Sequence, residues 1–288
     1  MHSTGSRTST DQPVLVAFQG ERGAFSERAA RRLAGEDIET LPCMSFEEMF
    51  DSVGRNDADC CVAPIENSLA GSIHRNYDLL LESDLTIAGE TNLRIVHNLI
   101  AAPDVELAQI RRVYSHPVAL AQCTRFLGAN RTMQAEAVHD TAGAVRMIMD
   151  RGRSDEAAIA SDDAAGIYGA RILARGIEDN VQNFTRFLLL KQTQRMLPVA
   201  DGARWKTSIV FRIANKPGAL FRALGAFALF DIDLSKIESR PVEGRPWEYA
   251  FYLDLVGRGD DPLIARALAN LEEMAEMVKM LGTYPSKW

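Results

Sequence analysis

At 288 residues the chain exceeds one average domain, and 47% apolar with 25% charged residues describes an ordinary globular protein whose core needs no disulfide or metal staple. A formal net charge of −7 argues against a binder of phosphate backbones, outside a local basic patch. The four cysteines (Cys43, Cys60, Cys61, Cys123) form no CxxC pair and the five histidines (His2, His74, His97, His116, His139) no HxxxH pair, so no metal site is expected. The cysteines read as small buried hydrophobes of a reducing compartment.

Residues 1–12 are polar and read as a disordered tail. Val14–Phe18 is the first strand. It is too short for a signal-peptide core or a membrane span, so a cytoplasmic protein with no membrane partner is expected. Gly20 and Gly23 break the strand, and Ser26 is placed to cap a helix running through Ala34. Thr40–Cys43 is a short strand. Ser45 and Glu48 make a capping box, and Phe46, Met49, Phe50 and Val53 follow at helical spacing. Asp59–Ile65 reads as a buried strand, and Ile73, Tyr77, Leu80 and Leu81 mark the next helix. The alternation continues to about Leu190, which predicts an α/β domain over residues 13–194 with mostly parallel strands.

That domain ends on NFTRFLLL, residues 183–190. Phe187 to Leu190 form the apolar run of a strand covered on both faces, yet Asn183, Thr185 and Arg186 stand at its mouth. Arginine is rarely buried without a partner. The polar mouth is either a strand end facing water or a site. Residues 195–205, with Pro198 and Gly202, read as a linker. Residues 206–285 then run strand Thr207–Ile213, helix Gly218–Phe230, strands Asp233–Ser239 and Trp247–Val256, helix Pro262–Met274 and strand Glu276–Gly282. This βαββαβ order is ferredoxin-like.

In the large domain several strands end in small polar residues before a helix: QGERGAFS (19–26), PIENSLAG (64–71), SHPVAL (115–120), HDTAGA (139–144) and ASDDAAG (160–166). Helix starts offer free N–H groups and a positive dipole end, and several converging on one crevice make an anion site. GERGAF is not GxGxxG and no Walker lysine follows, so a nucleotide is not the expected ligand, and the net charge of −7 already argues against nucleic acid.

GERGAFS, PIENSLAG, HPVALAQC, HDTAGA and NFTRF, in this order, resemble the motif series of the prephenate dehydratase family. PGALF (217–221) and ESRP (238–241) resemble the phenylalanine-binding motifs of the ACT regulatory domain attached to it. The first motif often has Thr where this chain has Ala24. The chorismate mutase segment of some relatives has no counterpart here, so the chain resembles the single-activity form. The resemblance implies a two-lobed catalytic domain like periplasmic binding proteins, followed by the ferredoxin-like ACT domain. It implies that prephenate loses carbon dioxide and its ring hydroxyl to give phenylpyruvate, with no cofactor and no metal.

By the resemblance Thr185 donates to the leaving oxygen and Arg186 clamps a carboxylate. Phe187 packs under the ring and Asn183 orients the others. Ser26, Glu66, Asn67, Ser68, Gly71, His116 and Thr141 line the cleft. Glu66 is the rival proton donor, Ser68 an alternative helix cap, Gly71 an alternative packing glycine, and His116 and His139 alternative loop supports. In the second domain Asn215, Pro217, Gly218, Ala219, Leu220 and Phe221 form one half of a phenylalanine site. Glu238, Ser239, Arg240 and Pro241 form the other, across a subunit interface in a homodimer or homotetramer. Arogenate as substrate, or a non-catalytic amino-acid sensor, are the other readings.

Overall fold

The computed structural model describes residues 13–192 and 204–286. The 1–12 tail and all but the last two residues of the 195–205 linker lie outside the described residues. Arg204 and Trp205 are already strand.

The first lobe comprises β1 (Leu15–Gln19), α1 (Phe25–Ala34), β2 (Glu39–Cys43), α2 (Phe46–Gly54), β3 (Cys60–Asn67), β4 (Gly71–Ser72), α3 (His74–Glu82) and β5 (Leu85–Arg94). The second comprises β6 (Asn98–Ala101), β7 (Arg112–Ser115), α4 (Pro117–Ala121), α5 (Thr124–Ala129), β8 (Gln134–Ala137), α6 (Thr141–Arg151), β9 (Glu156–Ala160), α7 (Asp162–Ile167) and β10 (Arg171–Ala174). The chain then returns through β11 (Phe184–Gln192) to the first lobe. The sheets run β2-β1-β3-β11-β5, with β4 beside β3, and β10-β6-β9-β7-β8.

The expectation of mostly parallel strands needs correction. β11 is antiparallel to both β3 and β5, and β6 is antiparallel to β9 and β10. The cause is topological: a strand that follows a helical crossover enters from the same end, whereas β11 arrives from the other lobe.

One irregularity places the site. In the β3–β11 ladder Thr185 faces Asn67 and Arg186 faces Glu66, but Phe187 faces Pro64, leaving Ile65 as an extra residue in β3. The bulge breaks the two-residue alternation. Pro64, with no N–H to offer the ladder, suits it. Ile65 packs in the core with Tyr77, and Glu66 lies on that same side, so Asn67 swings into the space between the lobes.

The third unit contains β12 (Arg204–Arg212), α8 (Ala219–Ala228), β13 (Leu234–Pro241), β14 (Tyr249–Val256), α9 (Pro262–Glu272) and β15 (Met277–Ser286). Its sheet order, β13-β14-β12-β15, is the ferredoxin-like one. Ile209, Phe211, Leu253 and Leu255 face α8 and α9. The other face is not solvated: Val210, Tyr252, Leu281 and Tyr284 share one core cluster with Ile65, Tyr77 and Leu188 of the first lobe. The last strand runs past Gly282. That residue has φ +150°, and a Cβ there would lie 2.3 Å from the Ile87 carbonyl oxygen, so only glycine lets β15 cross β5 this closely. No helix among the described residues is long and apolar enough to cross a membrane.

Candidate active site

A cleft of about 620 Å³ opens between the two lobes. Thr185 and Phe187 project into it from β11, Pro64 and Asn67 from β3, and Ala24, Phe25 and Ser26 from the start of α1. The second lobe contributes His97, His116, Val118, Ala119, Gln122, His139, Asp140 and Thr141. Among the described residues its lining includes Glu47 and Asp140 but no Lys or Arg.

The polar centre is a hydrogen-bond network whose direction can be followed atom by atom. Asn67 Oδ1 accepts from the Leu69 and Ala70 amides at 3.0 and 2.9 Å. That identifies its other end as the amide nitrogen. Asn67 Nδ2 then donates to Thr185 Oγ1 at 2.9 Å and to Asn183 Oδ1 at 2.8 Å. Asn183 Nδ2 donates to Gln122 Oε1 at 2.9 Å, and His97 Nε2 lies 2.9 Å from the same oxygen. Thr185 Oγ1 therefore accepts a hydrogen bond from Asn67 and keeps its own O–H for another partner. The hydroxyl is an oriented donor, held by side chains that are themselves buried.

Around this centre lie helix starts. α1 begins at Ala24 with no side-chain cap; the Glu27 and Arg28 amides donate to the Ala24 carbonyl, which leaves the Phe25 and Ser26 amides for an anion. Ser26 sits inside that turn and is not the cap expected. Asp140 caps α6 through the Gly143 amide, and Thr141 is the first residue of that helix. His116 caps α4, its Nδ1 accepting from the Val118 amide at 3.2 Å, so it supports structure while lining the cleft. His139 Nε2 lies 3.1 Å from the Met44 carbonyl and links the lobes at the rim. Burial pushes the His97 pKa down. Burial and the neighbouring His139 push that of His116 down.

Several expected contacts are corrected by the geometry. Arg186 does not reach the cleft. The strand alternation turns it to the opposite face from Thr185, where Glu90 Oε2 and Asp254 Oδ2 each lie 2.6 Å from its guanidinium. Burial works against that charge, but Asp254, Tyr284 and Glu90 hold its pKa above the ordinary value. Glu66 also faces away, through the bulge, and pairs with Lys236 Nζ at 3.0 Å. Ser68 caps no helix. It lies in the β3–β4 turn, donates to the Gln182 carbonyl at 2.8 Å and accepts from the Phe184 amide at 3.0 Å. Gly71 lines the cleft with φ +84° and open space where a Cβ would be, so the backbone conformation and not close packing calls for glycine. Asn183 is fully buried and orients Asn67. The ASDDAAG helix start is not among the cleft lining; Ser161 instead donates to the Gly23 carbonyl at 2.6 Å.

The sequence reading missed Gln122, the hub of the network, although HPVALAQC contains it. Also missed was His97, whose ring meets Phe25 edge-on at 5.9 Å. Neither stands at a helix start, the signal used to choose candidates.

In the third unit, Gly218 (φ +75°) opens α8 without a side-chain cap, and Asn215 Nδ2 donates to the Trp247 carbonyl at 3.2 Å. Phe221 is 81% exposed. Glu238 and Arg240 are not free for a ligand. Arg240 grips Asp78 of α3 through two bonds of 3.0 and 2.8 Å, and Glu238 bonds Ser72 of β4. Ser239 lies opposite Phe251, on the helix-covered face, and is exposed together with Pro241.

A two-lobed α/β domain that holds an oriented hydroxyl donor in its cleft, followed by a ferredoxin-like module, defines a small-molecule enzyme with an appended accessory domain. Residues 16–195 match the family model described as prephenate dehydratase, and residues 207–273 match the ACT domain. The chain belongs to the prephenate dehydratase family and carries a C-terminal ACT domain. It is similar to arogenate dehydratase/prephenate dehydratase 2, chloroplastic, of Arabidopsis thaliana, with 46% identity over 294 residues covering 98% of this chain and 74% of that protein. Among solved structures it is similar to the prephenate dehydratase of Arthrobacter aurescens in complex with L-Phe (32% identity, TM-score 0.86, 94% of this chain and 90% of that one). It is also similar to GqqA, described as a novel type of quorum-quenching acylase (36% identity, TM-score 0.85, 95% of this chain and 98% of that one).

Proposed function

We propose that this enzyme converts prephenate to phenylpyruvate, and that the orientation of Thr185 by Asn67 carries the reaction. The bond from the ring to its carboxylate breaks and releases carbon dioxide. The electron pair moves through the ring as it becomes aromatic, and the hydroxyl on the far carbon leaves. Thr185 O–H donates to that departing oxygen, which accepts readily because hydroxide is a strong base. Phe187 beside it offers an apolar surface to the flattening ring. The substrate carboxylates are received by N–H groups at the start of α1 and by hydroxyls such as Ser26, since no Lys or Arg among the described residues lines the cleft. Thr185 has an amide donor as its partner and not a base, which suits a proton donor better than an acyl-transfer nucleophile.

A second reading, arogenate as substrate, draws support from the names of the plant relatives and from a lining with two carboxylates and no Lys or Arg, which favours an ammonium-bearing analogue. Incubating the purified protein with each compound, in the presence of a strong chelator, separates the readings. Phenylpyruvate from prephenate supports the proposal. Phenylalanine from arogenate alone reverses the substrate assignment, ligand binding without turnover of either points to a sensor, and activity restored only by a divalent metal overturns the cofactor-free mechanism.

The finer reading extends to control. Phenylalanine binds where Gly218 opens α8, beside Ser239, between ACT domains of a homodimer or homotetramer, and inhibits. The domain limits 13–194 and 206–285 serve that division of labour. All four cysteines are buried and unpaired, which supports a cytoplasmic location.

A further inference from the structure

Thr185 and Arg186 are neighbours on β11 that serve different faces. Arg186 is the centre of a buried cluster of four charges. Its Nε lies 2.7 Å from Glu90 Oε2, its Nη1 2.6 Å from Asp254 Oδ2, and its Nη2 3.1 Å from Tyr284 OH. Glu90 Oε1 lies 2.9 Å from Lys206 Nζ and accepts from Ser286 Oγ at 2.6 Å. Ser208 Oγ donates to Asp254 Oδ1 at 2.5 Å. Glu90 and Lys206 are each 2% exposed. Arg186 and Glu90 belong to the catalytic lobe, on β11 and β5. Lys206, Ser208, Asp254, Tyr284 and Ser286 belong to the ACT domain. Two cations meet two anions, so the cluster is neutral as a whole. Such clusters add little net stability, because lost hydration offsets the attraction, but removing one member strands a buried charge. Their fixed hydrogen-bond geometry holds the elements that carry them in register. A smaller contact repeats the arrangement one strand away, where Glu66, the neighbour of Asn67, pairs with Lys236 of β13 at 3.0 Å.

We propose that these contacts are the coupling by which the ACT domain fixes the β3–β11 pair, making Arg186 and Glu66 positioning residues for Thr185 and Asn67. Each motif then carries one residue for the cleft and its neighbour for the domain contact. Asp254 grips Arg186, and Arg186 is joined by one peptide bond to the donor. A displacement of the ACT sheet therefore reaches the donor directly, and no chain of intermediates through the second lobe is needed.

The kinetic part of the test rests on the dehydratase reading; the exchange part does not. In the full chain, Asp254→Asn should lower kcat roughly tenfold with KM changed less than about twofold, a coupling within the usual range. In a Thr185→Val background the same substitution should cost no further kcat, because the residue through which it acts is gone. Amide exchange across residues 184–190 should quicken while α8 and α9 stay protected. Lys236→Met perturbs a less buried pair and serves if Asp254→Asn does not fold; its penalty should likewise vanish with Thr185→Val. Equal penalties in both backgrounds, or unchanged exchange across 184–190, would overturn the proposal. A wild-type chain that turns over neither substrate sinks the dehydratase reading instead and leaves exchange to decide the coupling.

Discussion

Thr185 gains its role from the atoms around it. Asn67 donates to its oxygen, and Gln122 and Asn183 hold Asn67 in place. Thr185→Val keeps the volume and removes the donor, so kcat should fall by roughly 10²–10⁴ in steady-state assays, with Thr185→Ser retaining more. Asn67→Asp tests the direction of the network. A carboxylate there would accept the Thr185 proton and turn it from the cleft, so kcat should drop with little change in KM; retained activity would show that Asn67 does not orient the donor. His97 is 2% exposed and, with His116, has its pKa pushed below the ordinary value near 6.5 by burial. Between that lowered pKa and about 6.5 the unfolded chain binds more protons, so stability is full above about pH 6.5 and falls on acidification. His97→Gln keeps a donor for Gln122 and removes one titrating group. Its melting temperature should decline less between pH 7 and 5 than that of the wild type, and an identical slope would assign the acid sensitivity elsewhere. At this scale the candidates Thr185, Phe187, Ser26, Asn67, Gly71, His116 and Thr141 were legible, since each lines the cleft. Arg186 and Glu66 were chosen for the right neighbourhood and the wrong face.

The elements explain why. Periodicity located β3 and β11, but facing depends on the extra residue Ile65, and nothing in CCVAPIEN announces a bulge except Pro64. Without it, Ile65 and Asn67 would share the core face and Glu66 would enter the cleft. Deleting Ile65 should remove the bulge yet leave Glu66 opposite Arg186 and Asn67 opposite Thr185, each on its present face, so the main loss should be the core packing of Ile65, read as a lower melting temperature; a melt unchanged from wild type would show that Ile65 adds nothing to the core. At β15, Gly282→Ala places a Cβ against the Ile87 carbonyl and strains a φ of +150°. Thermal or denaturant unfolding should show a loss of roughly 2–4 kcal/mol; a loss below about 0.5 kcal/mol would mean that β15 and β5 can separate at little cost. At the start of α8, Gly218→Val forces a branched residue to φ +75° and brings it against Arg222, so phenylalanine binding measured by calorimetry should weaken. Unchanged affinity would exclude this helix start as the ligand site.

On the scale of the whole molecule, the second domain is a structural layer of the first. Leu188 and Tyr77 of the catalytic lobe are buried by Val210, Tyr252 and Tyr284, and Arg186 has one of its two carboxylates in the ACT sheet. A chain ending at Pro198 should therefore do more than lose the phenylalanine inhibition proposed above. It should expose an apolar face and half of a charge cluster, giving low soluble yield or a broad, low-temperature melt. A soluble, cooperatively folded and fully active fragment would contradict this. Likewise Arg240→Ala releases Asp78 within the same chain, so its expected effect is a looser domain contact, with any change in phenylalanine affinity following from that.

The sequence by itself determined the two α/β and ferredoxin-like patterns, the boundaries of most strands and helices, and the motif series that assigns the family. Those follow from local periodicity, capping chemistry and residue identity, all of which lie within a few neighbours along the chain. Only the tertiary structure decided the antiparallel return of β11, the face served by each motif residue and the partners that Arg186, Glu66 and Arg240 find in the other domain. These depend on which end a strand enters from, on one unpaired residue in a ladder, and on contacts such as Arg186–Asp254 and Arg240–Asp78, whose partners are 68 and 162 positions apart. No local pattern encodes such contacts, because their partners meet only once the sheets have packed.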